Sequence, residues 1–395
     1  MEQQATAHAS TGKRNGLRIF SRAVLLPAAI FQIVEVGPGF STGREVVEYA
    51  GQFGALGAWT VLVIFIGFAV LCAIAYELAR VLRRHNYREY VRALLGPLWP
   101  LFDIMWIALT ILVTGIVTSG VGEVLSGTFG VPYLAAVIGV LVLVGLVLLS
   151  GRRLMERFDV VGSLLFSGGI CVFAIFVLVR RWHEVERLFS TNDTSLAASP
   201  SLGAALFSGL VYVGYNMSAV IPVLFCLDRQ TKRTETVLSG VFSSVLVVIP
   251  FTLTYLALAS FYENSVIEAS IPWLVMFERA GGGALAVVFA VVFVYAVIDT
   301  SAANIHAFLE RVNSALTEAG RNVLTLPKRG AWSVGILAAS FFLSQVGIVA
   351  LVAKGYTYFS YAFLLIFVLP LLTRGLYLIA TGSRVARPRG GDPAI

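Results

Sequence analysis

Apolar runs of about 20 residues recur along nearly the whole chain, separated by short polar segments. A helical run of that length crosses roughly 30 Å of hydrocarbon. The pattern predicts about ten spans, over residues 20–52, 55–82, 99–125, 131–150, 158–180, 203–226, 235–261, 280–310, 331–347 and 356–379. Segment 84–97 (RHNYREYVRALLGP) reads as an amphipathic helix lying along the inner membrane surface. Residues 181–202 and 262–279 read as long polar connections on the other side, and 348–355 as a short helix before the last span. The expected fold class is an all-α integral membrane protein. One membrane domain, 20–380, lies between polar tails at 1–19 and 381–395. The first tail lacks the apolar core of a cleavable signal peptide.

The first run is interrupted. Residues 33–45 read IVEVGPGFSTGRE, so Glu35, then Gly37-Pro38-Gly39, then Ser41 and Thr42 fall inside a segment that otherwise looks membrane-spanning. Hydrocarbon offers no water to an unpaired backbone, so such a break is tolerated only inside protein or along a wet cavity. Pro38 removes a donor and disfavours helix at Gly37, and the glycines permit close approach. Ser41 or Thr42 is placed to cap a new half-helix beginning near Gly43, whose N–H groups favour a carboxylate. A plain proline kink is the alternative. Glu35 at that depth must face the interior, either beside a cation or proton, or hydrogen-bonded to a neighbouring helix.

About half a chain later, LVYVGYNMSAVIP (210–222) carries a second interruption, with Gly214 flanked by Tyr215 and Asn216. Paired interruptions in two halves point to a transporter's central site. Ten spans would then divide into repeat one (20–180) and an inverted repeat two (203–380), with helices 1 and 6 discontinuous. In span eight, Asp299, Thr300 and Ser301 offer three hard oxygen ligands in succession, suited to sodium or a proton, with Asn304 in support. The alternative there is an interhelical hydrogen-bonding patch. Thr110, Thr114 and Thr118 share one helical face, lining a pathway or a helix contact. Arg44, Glu45 and Glu48 sit at the outer half-helix, as gating ion pairs or as a solvated mouth.

Composition agrees with the pattern: 58% of the 395 residues are hydrophobic and 13% charged, about half the charge of an ordinary soluble domain. The net charge of +7 does not indicate nucleic acid. Of the 29 Lys and Arg, all but Arg44, Arg180, Arg181, Arg187, Arg279 and Lys354 fall in alternate connections and the two tails. That asymmetry places both termini in the cytoplasm of a multi-pass cell-membrane protein. Cys72, Cys171 and Cys226 lie in apolar runs, and the four histidines are scattered. Neither set has metal or catalytic spacing, so no cofactor and no enzyme activity are expected.

GPGFSTGRE closely resembles the GAGFATGQE-type first-helix motif of the YkvI-like permeases, in the amino acid–polyamine–organocation (APC) superfamily. Length, span number and AKGY (353–356) are similar too. The resemblance implies the five-plus-five LeuT-type fold, with helices one and six unwound around substrate. It carries Gly37, Gly39, Phe40, Ser41, Thr42 and Gly43 to the unwound part of helix one. It carries Thr300 and Ser301 to the hydroxyl pair that holds Na+ in sodium-coupled members. Pro38 and Arg44 depart from it, standing for a small residue and a Gln.

The expectation is a secondary active transporter of a small solute, an amino acid or related zwitterion or amine, coupled to sodium or protons. Pro38, Thr114, Gly214, Tyr215 and Asn216 join the first-helix residues as substrate contacts. Glu35, Asp299, Thr300 and Ser301 are the ion-coupling candidates, and Arg44 and Glu45 the gating ones. An uncoupled channel and a receptor that binds without transporting are the alternatives. The partners expected are a small-molecule substrate and the lipid bilayer, while oligomeric state leaves no sequence signal.

Overall fold

The computed structural model of the chain describes residues 21–149, 152–318 and 320–382, with side chains throughout except at Pro38, Gly39, 149, 152–167 and 318. The expected tails lie almost wholly outside the described residues. No strand occurs among the described residues. Among the described residues, six helices are long and apolar enough to cross a membrane: Gly51–Leu82, Tyr87–Phe129, Leu202–Arg229, Arg233–Ala259, Gly283–Thr317 and Ile348–Ala380. Tyr133–Leu148 is a shorter apolar helix. The protein is a multi-pass helical membrane protein.

The first predicted span is three helices end to end: α1 (Leu26–Glu35), α2 (Pro38–Ser41) and α3 (Arg44–Tyr49). Next come α4 (Gly57–Leu82) and α5 (Tyr87–Leu95). Helix α5 is the expected amphipathic segment. Asn86 Oδ1 caps it by accepting from Arg88 N at 3.0 Å, and it buries Tyr90, Val91, Leu94 and Leu95. Then follow α6 (Trp99–Phe129), α7 (Tyr133–Leu149) and α8 (Arg152–Ser190). The first part of the expected polar connection from 181 is instead helix, because α8 kinks at Arg181 (φ −131°) and continues to Ser190.

The second half holds α9 (Leu202–Asn216), a short α10 (Val220–Val223) and α11 (Arg233–Ala259). The connection after α11 folds into α12 (Asn264–Ile267) and α13 (Pro272–Arg279), which buries Trp273. Helices α14 (Gly283–Glu318) and α15 (Leu326–Ser344) follow. The last span starts at α16 (Ile348–Ala350) and runs through wide turns into α17 (Thr357–Phe363) and on to Ala380. Residues 348–355 are therefore part of that span.

Helices α1, α4, α9 and α11 pack together, and α6, α7, α14 and α15 form a second group, with α8 against both α11 and α14. Lipid tails are as apolar as leucine, so close backbone approach and interhelical hydrogen bonds hold such helices together. A Cβ on Gly240 of α11 would lie 2.5 Å from Ala73 N of α4. Along the same contact, Thr236 Oγ1 donates to Glu77 Oε2 at 2.9 Å while Arg80 Nη2 donates to Glu77 Oε1 at 2.6 Å. In the second group, Tyr133 of α7 donates to Ser344 O of α15 at 2.8 Å.

Candidate functional site

Helix α1 stops at Glu35. Val36 leaves helical geometry (ψ 61°), and Gly37 is extended (φ −89°, ψ −176°) before α2 restarts at Pro38. Proline suits that first helical position, since its missing N–H would have had no intrahelical partner. The chain turns again at Gly43, which is left-handed at φ +81°. The conformation favours glycine at 43, and a Cβ there would sit close to Trp273, at 3.3 Å. A four-residue turn of helix begins at Pro38, and the half-helix α3 follows at Arg44, next to the expected start near Gly43.

The two hydroxyls inside the break bond to backbone. Ser41 Oγ donates to Gly37 O at 2.8 Å, and Thr42 Oγ1 accepts from Arg44 N at 3.1 Å. Both side chains are buried. They stabilise the broken segment itself.

Span six behaves differently from expectation. Helix α9 runs unbroken through Gly214 and tightens to a 3₁₀ turn at Met217–Ala219. Its backbone stays helical there (Asn216 φ −70°, Ala219 φ −68°). The irregularity follows Asn216, and tighter i→i+3 bonding replaces a true unwinding. Gly214 serves helix packing, because a Cβ on it would lie 2.9 Å from Leu364 and 3.1 Å from Ser360 O.

A cavity of about 120 Å³ opens at the first break. Its walls include Glu35, Gly37, Phe40 and Glu45 from the first span, and Tyr215, Asn216, Ser218 and Pro222 from the sixth. Trp106, Leu109, Thr110, Val113 and Val117 of α6 form another side, with Thr300 and Asn304 of α14 and Tyr356 completing it. Glu35 and Glu45 are both buried, and Glu35 Oε2 has no hydrogen-bond partner. Glu45 Oε2 accepts from Tyr215 OH at 2.9 Å. Tyr215 in turn stacks on Tyr356 at 4.4 Å and 12°. No Lys, Arg or His stands among these lining residues.

Several expected site residues lie elsewhere. Asp299 and Ser301 are absent from the lining while Thr300 is present. Consecutive helical residues point about 100° apart, so three in a row cannot face one point. Asn304, one turn on, shares the face of Thr300. Ser301 is fully buried and its Oγ has no hydrogen-bond partner. Thr114 Oγ1 donates to Thr110 O at 2.8 Å, turning back onto its own helix. The side chains of Pro38 and Gly39 lie outside the described set.

Arg44 and Glu45 part company. Arg44 Nη1 donates to Ile267 O at 2.6 Å and its Nη2 pairs with Glu48 at 3.2 Å, tying α3 to the C-terminal end of α12. Glu45 instead faces the cavity. Trp106 carried no signal in the chain pattern, since aromatic residues in apolar runs are ordinarily core, and Tyr356 entered only as the last residue of AKGY. Ser218 and Pro222 lie inside the segment 210–222 that the pattern marked as interrupted.

No protein-family model matches the chain. The uncharacterized membrane protein YkvI of Bacillus subtilis (strain 168) is 23% identical over 333 residues, covering 82% of this chain and 89% of that protein. The chain resembles YkvI. Among solved structures, the manganese transporter of Eremococcus coleocola, bound to an aromatic bis-isothiourea compound, superposes with a TM-score of 0.59. It is 16% identical, covering 94% of this chain and 82% of that one. A Na+-coupled sialic acid symporter in a substrate-bound, outward-open state gives a TM-score of 0.53 at 15% identity, covering 90% of this chain and 87% of that one. Like YkvI, this chain is a membrane protein, and its fold is one that membrane transporters use.

Proposed function

We propose that the protein is a secondary active transporter of a small solute carrying an amino group, an amino acid or a related zwitterion or amine. The carrying observation is the placement of Glu35 and Glu45 in one buried cavity at the break between α1 and α2, without a cationic side chain in its walls. Two carboxylates in a low-dielectric site demand a bound cation or a proton. An ammonium group meets that demand, and Trp106, Tyr215 and Tyr356 place aromatic rings in the same walls.

Coupling to sodium or protons belongs to the same reading. Ser301 Oγ, buried and without a partner, supports an oxygen-ligated ion on α14. Glu35, buried beside the cavity with Oε2 unpartnered, supports a proton. Of the expected ion-coupling residues, Asp299 is assigned its part through its place next to Thr300 alone.

Helix pairing supports the five-plus-five inverted repeat. Helix α1 packs on α11 as α9 packs on α4, and α6 packs on α15 as α14 packs on α7. Exchanging each span for the one five later converts the first pairing of each couple into the second. Alternating access would then move the group α1, α4, α9 and α11 against the group α6, α7, α14 and α15. Both termini would face the cytoplasm, as the basic connections require.

Uptake by proteoliposomes, with sodium and proton gradients imposed separately, tests this. Accumulation driven by either gradient is expected for an amine or amino-acid substrate. Flux that ignores both gradients would make the protein a facilitator, and binding without flux would make it a receptor.

A further inference from the structure

A second cavity, of about 330 Å³, lies on the α5 side of the molecule, lined by Asn86, Tyr87 and Arg88 with Glu310, Arg311 and Ser314 of α14. It shares two wall residues, Trp106 and Pro222, with the central cavity. Those two side chains therefore stand between a buried chamber and a vestibule. Pro222 is on the short α10, whose backbone is fixed by the helix ends around it. Trp106 is on α6 and has a rotatable side chain.

What holds Trp106 is a cation from another helix. The Arg311 guanidinium carbon lies 3.7 Å from the Trp106 ring centroid and 4.0 Å from that of Tyr87. It is sandwiched between α6 and α5. Its Nη1 is buried without a hydrogen-bond partner, and Asp103, one turn before Trp106, approaches it at 3.6 Å. Thus the arginine's main partners are the two rings, with a loose ion pair beside them. An arginine stacked on an aromatic face restrains that ring's rotation as well as attracting it.

The geometry points to Trp106 as the inner gate of the central cavity, with Arg311 as the positioning residue that keeps it closed. This rests on the transporter reading, which gives the gate its use. Opening requires Arg311 to leave the Trp106 face, and the two residues belong to α6 and α14, so a shift between these helices opens or seals the partition. Tyr87 couples the amphipathic α5 to the same latch.

The test reads accessibility and needs no substrate. In full-length protein carrying Cys72→Ser, Cys171→Ser and Cys226→Ser, single reporters Asn304→Cys (central cavity) and Ser314→Cys (vestibule) are alkylated with a maleimide in detergent. Arg311→Gln is expected to speed labelling at 304 by about tenfold and leave 314 unchanged, while Arg311→Lys, which keeps a cation, gives a smaller rise. Equal rates at 304 with and without Arg311→Gln would overturn the gate. So would parallel rises at both reporters, which mark general loosening. Because labelling is independent of flux, a protein that carries no solute yet shows the selective rise at 304 would retain the partition while losing the transporter reading.

Discussion

Tyr215 donates a 2.9 Å hydrogen bond to Glu45, across 170 residues of sequence. One residue comes from the half-helix beyond the first break, the other from the last turn of α9. The bond closes the central cavity between the two halves of the chain.

Tyr215→Phe keeps the ring against Tyr356 and removes only that bond. A single hydrogen bond is worth about 1 kcal/mol net, or about fivefold in affinity. Substrate binding, followed by ligand-dependent thermal shift, is expected to weaken by about that factor. Glu45→Gln is expected to cost far more, since it removes one of two charges in the cavity. An unaffected Glu45→Gln would take Glu45 out of the site.

Glu35→Gln preserves shape while removing the charge. Gradient-driven accumulation in proteoliposomes is expected to fall at least tenfold, with less effect on exchange of labelled for unlabelled substrate. Accumulation at the normal level would show that Glu35 carries neither the coupling ion nor the amine.

Two glycines in the first span are expected to respond in opposite ways. Gly37 has an ordinary negative φ, and a Cβ there meets nothing nearer than Val34 O at 3.8 Å. Gly37→Ala should therefore insert and fold normally, whereas Gly37→Leu should fill the cavity and abolish binding. Gly43→Ala imposes a left-handed alanine, costing about 1–2 kcal/mol, and crowds Trp273. It should lower the melting temperature measured by detergent size-exclusion, even though Gly43 is not among the walls of the central cavity.

Gly240→Val tests the α4–α11 seam. Its branched side chain has no space against Ala73 backbone at 2.5–2.8 Å. Overpacking of this kind costs about 1–3 kcal/mol, and here rigid backbone opposes it. A drop of several degrees in melting temperature is expected, with no change in which solutes bind. A selective change of substrate would mean that the seam reaches the cavity.

The chain pattern alone established the membrane class, most of the span positions and the location of the first break. Each of these is local: an apolar run must satisfy its own backbone in lipid, and Gly37-Pro38 interrupts that wherever the helix ends up. The pattern located the half-helix start near Gly43, where α3 follows at Arg44, and an irregularity within 210–222. It missed the extra turn at Pro38–Ser41, because proline can open a helical turn as well as end one, and it centred the second irregularity on Gly214 rather than Met217–Ala219. Only the tertiary structure decided which side chains meet. It turned Glu45 inward and Arg44 to the carbonyl of Ile267, engaged Ser41 and Thr42 with backbone, and selected Thr300 over Asp299 and Ser301. It also brought Trp106 and Tyr356, 250 residues apart, to one cavity. The rotation of each helix about its own axis depends on close packing against its neighbours, to which lipid and local sequence contribute little.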